Sequence, residues 1–156
     1  MFRPTFYYKS KPVRAAGILL WTHKGNRIMR MFNKCQGRLE DIGGKTDRVD
    51  RGPIDTAIRE ACEETNNHIF SPYHTQQECA RMLYDHVMDY VDVQYNAESK
   101  YLLYRVQVHP SILEMSMRRF GREEITEWGV LGHHFQWRWT VPYTNQRHPR
   151  LKGLEL

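Results

Sequence analysis

Hydrophobic positions alternate with polar ones in parts of this chain and recur at helical spacing in others. Val13 to Thr22 is apolar and rich in strand formers, including Val13, Ile18, Leu19, Leu20 and Trp21. Arg27 to Phe32 alternates, and His23-Lys24-Gly25-Asn26 stands between the two runs, so a hairpin with a Gly-Asn turn is predicted. Leu39 to Ile42 predicts a further short strand ending at Gly43-Gly44, followed by a polar loop from Lys45 to Gly52. Pro53 suits the first turn of a helix, where its missing N–H costs nothing. From there Ile54, Ala57, Ile58 and Ala61 share one helical face. The helix is expected to close at Asn66-Asn67, because Asn tolerates the left-handed conformation of a helix end.

After a lead-out over His68–Tyr73, Thr75 to about His86 carries Cys79, Met82 and Leu83 on one face and predicts a second helix. Tyr90–Tyr95 alternates, and Tyr101, Leu102, Leu103, Tyr104, Val106 and Val108 mark a strand over Lys100–Val108, with Asn96–Ser99 as the turn between the two. Pro110 ends that strand. Ser111–Arg119 reads as irregular or as a short helix, and Leu151–Leu156 is too short to assign. Helices and strands do not alternate regularly, so an α+β domain with a mixed sheet is expected, spanning residues 1–156.

Composition fits a folded chain. Of the 156 residues 40% are hydrophobic and 12% aromatic, more than a disordered chain carries, although the mean hydropathy is −0.71. Lys and Arg outnumber Asp and Glu by 23 to 18, a balance that suits either a solvated basic surface or a polyanionic partner. Against that background, acidic residues gather between Asp41 and Glu64. Three cysteines (Cys35, Cys62 and Cys79) match no zinc spacing and cannot all pair, so reduced thiols and a cytoplasmic setting are expected. Met1-Phe2-Arg3-Pro4 has none of the apolar character of a signal peptide, and no run approaches the roughly 18 apolar residues of a membrane span.

On the first helix, Glu60, Glu63 and Glu64 lie three and four residues apart and project to one side, opposite the apolar face. A solvated acidic face with surface pairing, such as Arg59 to Glu63, would account for them. So would a site for a hard divalent cation, since Mg²⁺ takes oxygen ligands from a few carboxylates and completes its shell with water and phosphate. The glycines at 43 and 44, a short loop upstream, allow close backbone approach and favour the second account.

The stretch from Gly44 to Asn67 resembles the signature box of the Nudix family. Gly44 matches its opening, and Arg59-Glu60-Ala61-Cys62-Glu63-Glu64 matches its Arg-Glu-x-x-Glu-Glu core. The loop carries one extra residue, so the box's first Glu falls on Asp50 counted forward or on Arg51 counted back. Asn66 and Asn67 replace the closing Gly and aliphatic residue. The resemblance implies an α/β/α sandwich with a mixed sheet, and cleavage of the pyrophosphate linkage of a nucleoside diphosphate joined to another group. It implies Mg²⁺ or Mn²⁺ held by Glu60, Glu63, Glu64 and the Gly44 carbonyl, with Arg59 orienting a glutamate and the first acid bracing the loop.

Lys45 and Glu124 are candidates for substrate binding, Lys45 through a phosphate, and the general base is either a glutamate of the box or an acid on a distant loop, for which Glu123, Glu124 and Glu127 are candidates. Each also reads as an ordinary surface charge. His133-His134 suggests no site. Phe2, Tyr7, Tyr8, Trp21, Trp137, Trp139 and Tyr143 could stack on a base, and Gln136-Trp137-Arg138-Trp139 fits either a nucleic-acid contact or an alternating strand. A small nucleotide is the leading substrate, and a homodimer is allowed. An RNA 5′ end is the alternative, favoured by the Arg-rich 118–122 and 147–150 segments and by the Leu39–Lys45 lead-in. That lead-in resembles Nudix proteins of large DNA viruses, some of which decap RNA. A non-catalytic nucleotide- or RNA-binding module is the third reading.

Overall fold

A computed structural model describes residues 3–35, 38–70, 75–89, 91–114, 136–140 and 146–156. A small antiparallel pair, β1 (Phe6–Tyr8) and β2 (Lys11–Val13), comes first. Strands β3 (Ala15–Lys24), β4 (Arg27–Cys35), β5 (Arg38–Glu40) and β6 (Ile42–Lys45) follow. Helices α1 (Pro53–Glu64) and α2 (Gln76–Asp89) come next, then β7 (Val91–Asn96), β8 (Tyr101–Gln107) and β9 (Gln136–Thr140). Short 3₁₀ turns occupy Pro110–Glu114 and Pro149–Leu151.

The main sheet runs β5-β4-β3-β8-β7, with β9 on β4. β3 and β8 are parallel and the other pairs antiparallel, so the sheet is mixed as the sequence predicts. The β3–β4 hairpin is tighter than expected. Both strands continue to the Lys24–Arg27 pair, leaving only Gly25-Asn26 in the turn, with Gly25 at φ +60. The second helix also runs longer than expected, to Asp89.

Period-two alternation divides the core. Ala16, Ile18 and Leu20 of β3 and Leu102, Tyr104 and Val106 of β8 face the two helices, where they meet Ala57, Ile58, Ala61, Cys62, Cys79 and Leu83. Leu19, Tyr101 and Leu103 face the other way and meet Leu151, Leu154 and Leu156. The second face is therefore covered, among the described residues, by the chain's last turn and tail. Asn96 ties that turn down: its side-chain amide donates to the carbonyls of Pro149, Arg150 and Lys152 at 3.4, 3.0 and 3.2 Å.

One edge of β3 is shared. β6 pairs with its first half, Ala15 to Ile18, and β4 with its second, Trp21 to Lys24. The sheet thus forks between β4 and β6. Among the described residues β6 has no ladder partner on its far side, so its outer carbonyls face the fork. No helix among the described residues is long and apolar enough to cross a membrane.

Candidate functional site

The site is built on the fork, where β6 runs into the loop before α1. Gly52 precedes α1 in extended conformation and Pro53 opens it. Asp55 in the first turn accepts the Arg51 N–H at 2.9 Å, which ties the end of the loop to the start of the helix. At the far end Asn66 and Asn67 have φ of +52 and +60. Asn67 N–H donates to the Cys62 carbonyl at 2.9 Å, which closes the helix where the two asparagines were expected to close it.

Arg59 joins the loop to the helix. Its Nε donates to Asp50 Oδ1 at 2.9 Å and its Nη2 to Asp50 Oδ2 at 3.1 Å. Nη2 also donates to the Lys45 carbonyl at 2.9 Å, and Nη1 reaches Glu60 at 3.2 Å and Glu63 at 3.4 Å. Asp50 takes two more donors, Thr56 Oγ1 at 2.7 Å and the Asp47 N–H at 2.9 Å. Burial pushes the Asp50 carboxyl up, but the hydrogen bonds from Arg59, Thr56 and Asp47 outweigh it and hold the group below the usual carboxylate range. Burial likewise opposes the Arg59 charge, and Asp50, Glu60 and Glu63 more than restore it. Of the two neighbours Asp50 and Arg51, it is Asp50 that meets Arg59. The Arg51 side chain is 91% exposed and its ion pair is with Asp55, at 3.5 Å.

Glu60 packs directly on Gly44. A Cβ at that position would overlap the Glu60 carboxylate, so the absent side chain of residue 44 makes room for an oxygen donor beside the backbone. Glu63 is the most open of the trio, its side chain 45% exposed, whereas that of Glu60 is 14% exposed. Glu64 is half-buried and Lys45 exposed at the rim. Among the described residues, no three His, Cys, Asp or Glu side chains are gathered closely enough to hold an ion as they stand. Arg59 offers a reason, since it draws Glu60 and Glu63 toward its own guanidinium. The donor set itself is all oxygen, as a hard divalent cation requires, and the Gly44 cradle gives it access.

Behind β6 lies a second arrangement that spacing alone did not reveal. Asp41, with a fully buried side chain, accepts from Tyr101 Oη at 2.5 Å and from Arg150 Nε at 2.8 Å. Arg150 Nη2 also donates to the Asp41 carbonyl at 2.9 Å and Nη1 to the Gly43 carbonyl at 3.4 Å. Its guanidinium carbon sits 5.0 Å from the centre of the Tyr101 ring. The signal available in sequence was slight: Asp41 is one of two adjacent acids, Glu40 and Asp41, between Leu39 and Ile42.

No family model matches the sequence, and no curated protein does. Two solved structures are similar in shape. A C. elegans Ap4A hydrolase binary complex is 18% identical, with 81% of this chain and 78% of that chain covered and a TM-score of 0.44. A C. elegans Ap4A hydrolase is 16% identical, with 80% and 78% covered and a TM-score of 0.42.

The remaining candidates divide. Glu123, Glu124, Glu127, His133, His134, Phe2, Tyr143 and segment 118–122 lie outside the described residues. Residues 136–140 form a strand, and Trp139 packs against the core, which supports the alternating-strand reading there. Tyr8 also packs on the core, and Trp21 meets His23 edge-on at 5.5 Å. Tyr7 is 68% exposed. The 147–150 segment does not supply the basic surface expected of it. Arg147 donates to the carbonyls of Leu151 and Leu154 at 3.3 and 2.8 Å, and Arg150 is committed to Asp41, so both charges serve the C-terminal turn. Cys62 and Cys79 are free and buried between the helices.

Proposed function

We propose that this chain is a single-domain, Nudix-type pyrophosphohydrolase that uses Mg²⁺ or Mn²⁺ to cleave the pyrophosphate linkage of a small nucleotide. Nucleoside triphosphates, dinucleoside polyphosphates and nucleotide sugars are the substrate classes. The observation that carries the reading is the Arg59 lock. One guanidinium pins the Gly44–Asp50 loop to α1 and meets two of the three glutamates. A merely solvated acidic face has no use for a buried Asp-Arg brace behind it.

In this reading Glu60, Glu63 and Glu64 hold the cation together with the backbone of the Gly43-Gly44 end of β6. The resemblance implied the Gly44 carbonyl, but carbonyls alternate along a strand: Gly44 is in register with Ala16 of β3, and the Gly43 carbonyl is the one that meets Arg150 at the fork. When bound, the cation neutralises phosphate oxygens and lowers the pKa of a bound water. Arg59 orients Glu60 and Glu63 and does not itself meet substrate. Lys45, exposed at the end of β6, is the candidate for a phosphate oxygen. Catalysis then rests on positioning and charge neutralisation, as phosphoryl chemistry generally does. The RNA-end alternative loses one support, because Arg147 and Arg150 turn inward. The viral-type lead-in gains none, since its Asp41 is buried against Arg150.

A nucleotide panel incubated with Mg²⁺ tests the reading. Turnover is expected, with Glu63→Gln and Glu64→Gln each losing at least about a hundredfold, on the order of 3 kcal/mol in the barrier. Turnover untouched by both substitutions overturns the assignment of the glutamates. A panel with no turnover, joined to tight nucleotide binding, turns the reading to the non-catalytic module.

A further inference from the structure

Strand β6 is only four residues long and has one ladder partner among the described residues. Its two central residues are glycines, which carry no side chain to anchor their peptide planes. The carbonyls of Asp41, Gly43 and Lys45, every second one, point away from β3. That of Lys45 is held by Arg59 at 2.9 Å, and those of Asp41 and Gly43 by Arg150 at 2.9 and 3.4 Å. The guanidinium of Arg150 is fixed in turn by the Asp41 carboxylate, the Tyr101 ring and the turn that Asn96 ties down.

We propose that Arg150 is a positioning residue of the candidate active site, brought from the C-terminal turn to set the carbonyls of the Gly43-Gly44 strand end. This rests on the metal-dependent reading of the site given above. A carbonyl oxygen has two lone pairs, so donation from Arg150 fixes the Gly43 peptide plane and leaves one lone pair for a cation. The Asp41 carboxylate cancels the arginine's charge, so the pair can sit beside a cation site without repelling the ion. Burial opposes the charge on Arg150, while Asp41 foremost, then Tyr101, Glu64 and Glu40, favour it, and the balance holds it charged. The field of Arg150 therefore reaches Glu64, one of the trio. Groups of this kind, which orient metal ligands without touching the metal, typically alter affinity by about 10- to 100-fold when removed.

The test is Mn²⁺ binding measured by the EPR signal of the free ion, on the full chain. The double variant Asp41→Asn/Arg150→Gln removes one charge of each sign, so the net field at the site is nearly unchanged and any effect reports orientation. The expected result, in a variant that still melts cooperatively, is Mn²⁺ affinity weaker by about tenfold. Should the double variant not fold, Arg150→Lys keeps the pair with Asp41 but cannot span both carbonyls, and the same loss is expected. Affinity within about twofold of the parent in a folded variant, while Glu63→Gln abolishes binding, overturns the role of Arg150 and leaves the metal site standing. If the unaltered protein binds no Mn²⁺, the metal reading falls and this inference with it.

Discussion

Removing the Asp50 carboxylate tests the brace on which the loop depends. The group is 2% exposed, and it accepts two hydrogen bonds from Arg59, one from Thr56 and one from the Asp47 N–H. Breaking a buried pair from one side generally costs about 3–5 kcal/mol. Here Arg59 keeps the Lys45 carbonyl, Glu60 and Glu63, so its charge is not stranded and the low end applies. The Thr56 hydroxyl, at 0% exposure, loses its acceptor. Asp50→Ala is therefore expected to destabilise the fold by about 3 kcal/mol. With a urea slope of about 2 kcal/mol/M, the midpoint should fall by about 1.5 M. Arg51→Ala, at an exposed side chain, should stay within about 0.5 kcal/mol of the parent. A cycle combining Asp50→Ala with Arg59→Met should show a coupling of at least about 1 kcal/mol. Additive effects in that cycle, or an Asp50→Ala midpoint equal to the parent's, would refute the brace.

The same carboxylate fixes a direction with pH. Its folded pKa is depressed, so its contribution is complete above the unfolded value of about 3.9 and is lost as pH falls through the lower folded value. The difference in stability between the parent and Asp50→Asn should hold steady at neutral pH and shrink only in strong acid.

Two further outcomes follow from individual contacts. Gly44→Ala puts a methyl group where the Glu60 carboxylate lies, so the chain should fold while Mn²⁺ affinity drops by about tenfold or more; unchanged affinity by EPR would show that Glu60 does not work from that position. His148 is held down to about 4 by burial and by the charges of Arg150 and Arg38, against Asp41. Its ring should titrate near that value by NMR and, since the unfolded imidazole binds its proton at about 6.5, stability should decline as pH falls from there toward 4. A His148 titration near 6.5 in the folded protein would contradict that burial.

Much of the fold was legible because its signals are local. Ile54, Ala57, Ile58 and Ala61 mark the buried face of α1 by spacing alone, and Asn66-Asn67 closes the helix through a conformation those residues tolerate. The Arg59 to Glu63 contact was legible as an i,i+4 pair. The Asp50–Arg59 pair was not legible, because nine residues separate the two and counting along the loop left Asp50 and Arg51 equal, whereas the Arg59 fork meets Asp50. The pair β1–β2 was missed, since three-residue strands, one containing Pro12, are too short to show a period. The Arg150–Asp41 contact spans 109 residues and the Tyr101–Asp41 contact 60. No window along the chain holds both partners, and an arginine in a basic tail reads as surface until its acceptors are seen.

The two glycines of β6 explain why one short strand can join these two arrangements. Successive residues of a strand face opposite sides. Gly44 opens the helix side, where the space of its missing Cβ is filled by the Glu60 carboxylate. Gly43 opens the other side, where the same space is filled by Tyr101 Oη, the group that donates to Asp41. Gly17, paired with Gly43 on β3, leaves its own Cβ space to that hydroxyl as well. Any side chain at 43 would expel the Tyr101 hydroxyl from Asp41, and any at 44 would expel Glu60 from the strand end. The Gly-Gly pair is thus a steric requirement from both faces at once. Gly43→Ala should consequently act through the Asp41–Arg150 pair, and Gly44→Ala through the glutamates. Both should weaken Mn²⁺ binding at the proposed site, but only Gly43→Ala should also loosen the C-terminal turn.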